Sequence, residues 1–144
     1  PYNNYQLHSK DLEYKDIIQA GHINSDLTRY ELHRVWQIEG VLKDRSRHIY
    51  QKRVLFIDED TWQISVADHY DGRNELWRVA EAYQVNFHQD QVPWYTAEAL
   101  YDVISGRYLV SGLSNEIDQK VKFGGTSTTS EFKPAALRRK GGKH

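Results

Sequence analysis

From Arg29 onward the chain alternates. In RYELHRVWQIEGVLK, residues 29–43, large apolar side chains recur at Leu32, Trp36, Ile38 and Leu42, with mostly polar residues between them. A period of two is the mark of a half-buried β-strand, because successive side chains of an extended backbone leave opposite faces. The same pattern predicts strands over 47–57, 62–70 and 75–88, separated by DRSR, DED and DGRN, of which Asp71-Gly72 is the sharpest turn signal. After Pro93, residues 97–104 and 107–113 read as a hairpin across Ser105-Gly106, and 117–123 as a short edge strand. The chain is therefore expected to be mainly β, a long antiparallel meander. Strands of this length must twist and curl, which makes a curved half-barrel with a groove.

Upstream, Ser9 followed by KDLEYKDIIQAG reads as a short capped helix that ends at Gly21. Downstream, GGTSTTS and the basic end FKPAALRRKGGKH read as a flexible linker and tail over 124–144. Residues 1–123 form the structured unit, with 39% hydrophobic residues overall and a low mean hydropathy of −0.77. That low value, the lack of any methionine and the start at Pro1 are expected of a piece of a longer, processed precursor, the C-terminal part of a larger domain.

If neighbouring strands pair through these turns, Trp36 lies near Leu55, Leu55 near Ile64, and Val66 near Val79, all on one apolar wall. Trp62, Tyr70, Trp77 and Tyr83 extend it. Arg34, Gln51, Arg53, Asp68 and Glu81 interrupt it, in a place where isolated charges are costly. Two readings follow. The charges pair between strands as structural ion pairs, or they anchor the polar head of an amphiphile whose apolar part lies in the groove. On the second reading the ligand-binding residues are Arg34, Trp36, Arg53, Leu55, Trp62, Ile64, Asp68, Trp77 and Glu81.

Other chemistries find little support. A net charge of −1 provides no field for nucleic acid. No stretch approaches the roughly 18 apolar residues of a membrane span, so the chain is peripheral to a membrane at most. Without cysteine there is no thiol nucleophile or thiolate metal site, and the seven histidines show no compact ligand spacing, so no metal or other cofactor is expected. Ser65 and His69 stand about 13 Å apart along one strand, too far for a nucleophile and its base. A carboxylate dyad of Asp68 and Glu81 is the remaining route to a hydrolase, and neighbouring arginines would make it a poor general acid. No phosphate-binding glycine loop is present.

The segments Gly21-His22-Ile23-Asn24, RYELHRVW at 29–36, IDEDTW at 57–62 and Asp68-His69-Tyr70-Asp71-Gly72 together resemble the bacterial domain-of-unknown-function family 1329. Its members are exported Gram-negative proteins usually described as outer-membrane lipoprotein-sorting proteins. The resemblance spans about residues 2–113 and implies a fold similar to the lipoprotein carriers LolA and LolB, an unclosed barrel that receives acyl chains. It implies a non-enzymatic periplasmic module that handles lipid or lipoprotein, with no catalytic residues, and an outer-membrane association. The alternative is an interaction or scaffold element of an envelope export complex, with a protein partner covering the wall.

Overall fold

The alternating segments form one open, curved sheet in a computed structural model that describes residues 1–118 and 121–141. Six antiparallel strands follow one another in sequence order: β1 (Val35–Val41), β2 (Lys52–Asp58), β3 (Ile64–Tyr70), β4 (Leu76–Phe87), β5 (Val92–Asp102) and β6 (Arg107–Ser111). Every connection is local, so each strand pairs with its sequence neighbour and the hydrophobic alternation fixes the register.

Three boundaries differ from the sequence reading. β1 starts at Val35 because residues 29–34 are engaged by the N-terminal segment, with Tyr2 N–H donating to Arg29 O at 2.9 Å and Arg29 N–H to Asn4 Oδ1 at 2.6 Å. Residues 43–51 form a loop rather than the start of β2. β5 begins at Val92 and runs through Pro93, which is tolerated there because β6 pairs only with Glu98–Asp102 and leaves that edge free. No strand is present among the described residues of 117–123; Gln119 and Lys120 lie outside them.

The alternation is broken by three β-bulges. Phe56 pairs with Val66 but Ile57 pairs with Ile64, so Ser65 is an extra residue in β3. Trp77 is the extra residue in β4 and Thr96 in β5. Each insertion switches which face the following side chains occupy. Trp36, Leu55 and Ile64 do share a face, but Val66 and Val79 lie on the other one, contrary to the expected wall. Tyr70 and Tyr83 cross over with them.

That second face holds the core. Leu7, Ile17 and Ile23 from the N-terminal segment bury themselves against Tyr83, Ala97 and Ala99 of β4 and β5. The two alanines leave the depth that Leu7 and Ile17 fill, both at 0% exposure. Asn115 pins the segment by donating from Nδ2 to Leu7 O at 3.0 Å and Ser9 O at 2.8 Å. Gly112, at φ +86°, lets the chain leave β6 against the bulge: a Cβ there would stand 2.2 Å from Thr96 O.

Only Tyr14–Ile17 (α1) of the expected 10–21 helix is helical. Its flanks are spent on tertiary bonds. Lys10 Nζ donates to Ser114 O at 2.7 Å and Ile117 O at 2.8 Å, Tyr14 N–H donates to Glu116 Oε1 at 2.6 Å, and Ile18 forms a bridge with Ile23. The segment read as a linker and tail contains a capping box between Thr128 and Glu131, then a second helix, α2 (Pro134–Gly141). Proline at its first position is compatible with a helix start because that N–H has no helical partner. The last part of the expected tail, residues 142–144, lies outside the described residues.

Candidate functional site

The face of the sheet opposite the core carries no N-terminal segment, and two rows of registered side chains cross it. Ile38, Leu55, Ala67, Ala80, Leu100 and Leu109 stand in line, one per strand, each paired with the next. The row is wholly apolar. Its small centre, Ala67 beside Ala80, is a trough between larger residues, and at about 4.8 Å per strand it spans about 24 Å. Trp36 and Ile64, on either side of Ile57, widen the apolar surface at one edge. Trp36 is 54% exposed, Ile38 47% and Ile64 43%, so this edge is surface, whereas Ala67 at the centre of the row is 7% exposed. An exposed apolar surface of this kind is a candidate binding region.

Two residues further along each strand lies a polar row: Gly40, Arg53, His69, Arg78, Asp102 and Arg107. Tyr50, from the 43–51 loop, sits over its middle. Its ring centroid is 4.6 Å from that of His69 and 5.8 Å from that of Trp77, and its hydroxyl accepts from Arg78 Nη1 at 2.9 Å. Arg78 is matched in charge by Asp102, with Nε 3.2 Å from Oδ2, and the same oxygen accepts from Trp77 Nε1 at 2.9 Å. The Ser105 N–H, and then the Ser105, Arg78 and Trp77 side chains, hold the Asp102 carboxyl down to about 2. Arg53 differs. Among the described residues it has no carboxylate partner; Nη2 lies 3.2 Å from His48 Nε2, and the guanidinium packs 5.3 Å from the Tyr50 ring centroid. Burial, followed by the Arg53 and Arg78 charges, lowers the pKa of His69.

At the β1–β2 end the two rows meet a cavity of about 410 Å³, lined by Ile38, Val41, Leu42 and Leu55 with His48 and Arg53 beside them. The volume lies in the range of small-ligand sites.

Of the residues expected to bind a ligand, Trp36, Arg53, Leu55 and Ile64 are gathered on this face, with Trp77 joining the polar row through its bulge. Four are not. Arg34 precedes β1, is 86% exposed at its side chain and pairs with Glu59 at 3.4 Å. Trp62 stands in the β2–β3 turn at φ +57° and is 71% exposed. Asp68 and Glu81 lie on the core face, where Glu81 accepts the Tyr83 hydroxyl at 2.6 Å. Thus the four charges do not form the expected cluster, because two strands change face at the bulges and Arg34 is outside the ladder. Sequence reasoning missed His48, Tyr50, His69 and Arg78. Placing Ser65 as an inserted residue would have moved His69 and Arg78 to the correct side.

The model of the family described as "Protein of unknown function (DUF1329)" matches residues 1–138. The chain is 55% identical over 141 residues to the uncharacterized protein PA3922 of Pseudomonas aeruginosa, covering 98% of this chain and 31% of that protein. Among solved structures it is similar to a Vibrio parahaemolyticus domain described as an outer membrane lipoprotein-sorting protein, with TM-score 0.56 and 17% identity over 73% of this chain and 42% of that one. A DUF1329 family protein from Desulfovibrio piger aligns with TM-score 0.50 and 22% identity, over 72% of this chain and 40% of that one. The chain thus spans about a third of the curated relative and under half of each solved neighbour. These neighbours share the mainly β, open antiparallel architecture expected from the alternation.

Proposed function

The chain belongs to the DUF1329 family, and from that premise we propose that it is a non-enzymatic binding module for an amphiphile, a lipid or the acylated end of a lipoprotein, in the bacterial envelope. One observation carries this reading: a continuous apolar row lies two residues from a cationic row on the same uncovered face. Two residues along a strand are about 6.6 Å, the separation needed to hold a head group and its chain at once. Arg53 is the anchor, a planar fork suited to carboxylate or phosphate, and the Ile38–Leu109 trough receives the chain. The neighbour described as a lipoprotein-sorting protein supports the same reading through its fold. It also supports an envelope or periplasmic location, and no helix among the described residues is long and apolar enough to cross a membrane.

A second reading is favoured by the length of the relatives. In a protein about three times as long, this face is covered by further strands or by a partner, and the module is a scaffold. Native mass spectrometry after incubation with phosphatidylglycerol vesicles separates the two. We expect a bound lipid mass that disappears in Ile38→Asn. In Arg53→Gln the preference for phosphatidylglycerol over phosphatidylcholine should fall about tenfold, as loss of one charge-assisted hydrogen bond implies. A chain that acquires no lipid and instead retains a stoichiometric envelope protein refutes the carrier reading.

A further inference from the structure

The opposite, core-side end of the β1–β2 hairpin holds a separate cluster. Asp58 ends β2 at the neck of the β2–β3 turn, where its N–H donates to Gln63 O at 2.9 Å and its carbonyl accepts from Trp62 N–H at 2.9 Å. The carboxylate is fixed as well. Oδ1 accepts the N–H groups of Asp60 at 3.0 Å and Thr61 at 2.8 Å, which leaves Oδ2 facing the strand entrance. There it meets His33, whose Nδ1 is 2.7 Å from Asp58 Oδ2 and 3.6 Å from Asp60 Oδ2. The Asp58 side chain is only 4% exposed.

The imidazole is held from its other sides too. Glu31 Oε2 lies 3.3 Å from Nε2, and the Tyr2 ring packs with its centroid 4.1 Å from the imidazole centroid. On the far side, Nδ1 is buried and makes no well-formed hydrogen bond despite the two carboxylates in front of it. One nitrogen carries one proton at most and cannot satisfy two converging carboxylates.

We propose that His33 Nδ1, Asp58 Oδ2 and Asp60 Oδ2 form a binding site for a divalent transition-metal ion such as Zn(II). One ligand atom from each of the three residues lies within 4.8 Å of the other two. Donors at about 2.1 Å from a tetrahedral zinc stand about 3.4 Å apart, so the Asp60 contact already fits and the Asp58 contact opens by well under 1 Å. Glu31 is the positioning residue: a carboxylate on the far nitrogen fixes the tautomer and ring orientation, the arrangement that metal-bound histidines commonly use. A polar cavity of about 270 Å³, lined by His33, Arg34, Glu59 and Asp60, leaves room for water at a fourth position. One imidazole among the donors favours zinc over magnesium. The sequence reading expected no metal because His33 is 25 and 27 residues from its carboxylates, which the strand pairing of Val35 with Asp58 brings together.

The test is calorimetric titration of the chelator-treated full chain with ZnCl2, and with MgCl2 as comparison. We expect one Zn(II) per chain and no comparable magnesium binding. Asp60→Asn, at a side chain 77% exposed and so without risk to folding, should weaken zinc by more than about tenfold. Glu31→Gln should weaken it by about 10-fold to 100-fold, and His48→Gln should leave it unchanged. In wild type, zinc should shift the His33 imidazole nitrogen resonances ahead of those of other histidines, a readout that needs no variant. No saturable binding below about 1 mM, wild-type affinity in Asp60→Asn, loss in His48→Gln, or zinc shifts confined to other histidines each overturns the site.

Discussion

Deleting Ser65 tests the feature on which the placement of every side chain beyond β2 depends. As the unpaired residue between Ile64 and Val66, it can be removed without moving either neighbour to the other face. Its one side-chain interaction is the bond from Oγ to Phe56 O at 3.1 Å, worth about 0.5–1.5 kcal/mol net. The deletion should therefore cost no more than about 1.5 kcal/mol, which is a loss of at most about 0.75 M in the urea midpoint for a slope of roughly 2 kcal/mol/M. Deleting Ala67, two residues later, is the control. It forces either Ile64–Val66 or Asp68–Tyr70 to exchange faces, so apolar side chains such as Val66 are displaced by polar ones. At about 1.5–3 kcal/mol for each large apolar side chain moved, the cost approaches the whole stability expected of a domain this size. Urea unfolding followed by far-ultraviolet circular dichroism measures both variants. If the Ser65 deletion unfolds the chain, or if the two deletions cost the same, the bulge does not set the faces and the two rows are misassigned.

Leu7→Ala should destabilise the chain by about 3 kcal/mol in the same assay, because a fully buried leucine at the contact between the N-terminal segment and β4–β5 leaves a cavity; a loss under about 1 kcal/mol would mean that the segment does not form this core. His69 has a folded pKa below its unfolded value of about 6.5, so its neutral form supports folding above about pH 6.5 and that contribution is lost as pH falls through the folded pKa. His69→Gln should remove this part of the pH slope. Docking of an anionic head group on Arg53 should raise the His69 pKa, as read by proton NMR titration; an unchanged value in the presence of bound phosphatidylglycerol would place the head group elsewhere.

The sheet itself was legible because period-two alternation and the turns DED, DGRN and Ser105-Gly106 are local signals that tertiary packing did not override. Its faces were only partly legible. Alternation predicts sidedness only while it is unbroken, and the bulges at Ser65, Trp77 and Thr96 contain no glycine to announce them. The same limit explains the failed 10–21 helix. Its apolar spacing and caps are adequate for a helix, but Lys10 and Tyr14 bond to residues more than 100 positions away, a demand that no local window contains. The metal-type cluster was hidden for a related reason, since its ligands are local to a strand pair and not to a sequence segment.

The unmatched guanidinium separates the carrier and scaffold readings on physical grounds. The polar row contains three arginines, of which Arg78 is matched by Asp102 while Arg53, at the cavity, has no carboxylate partner among the described residues. If further protein covered this face permanently, Arg53 would be removed from water, at a cost of several kcal/mol unless the covering surface supplied a carboxylate in register. If an amphiphile occupies it transiently, the anion arrives with the ligand and the guanidinium remains hydrated between occupancies, so no permanent penalty is incurred. The aliphatic row beside it follows the same logic, because Ala67 and Ala80 lower its centre between Leu55 and Leu100. A surface evolved only to be sealed would gain more from large residues at those two positions. The combination of an open cation and a central trough therefore favours a ligand that comes and goes.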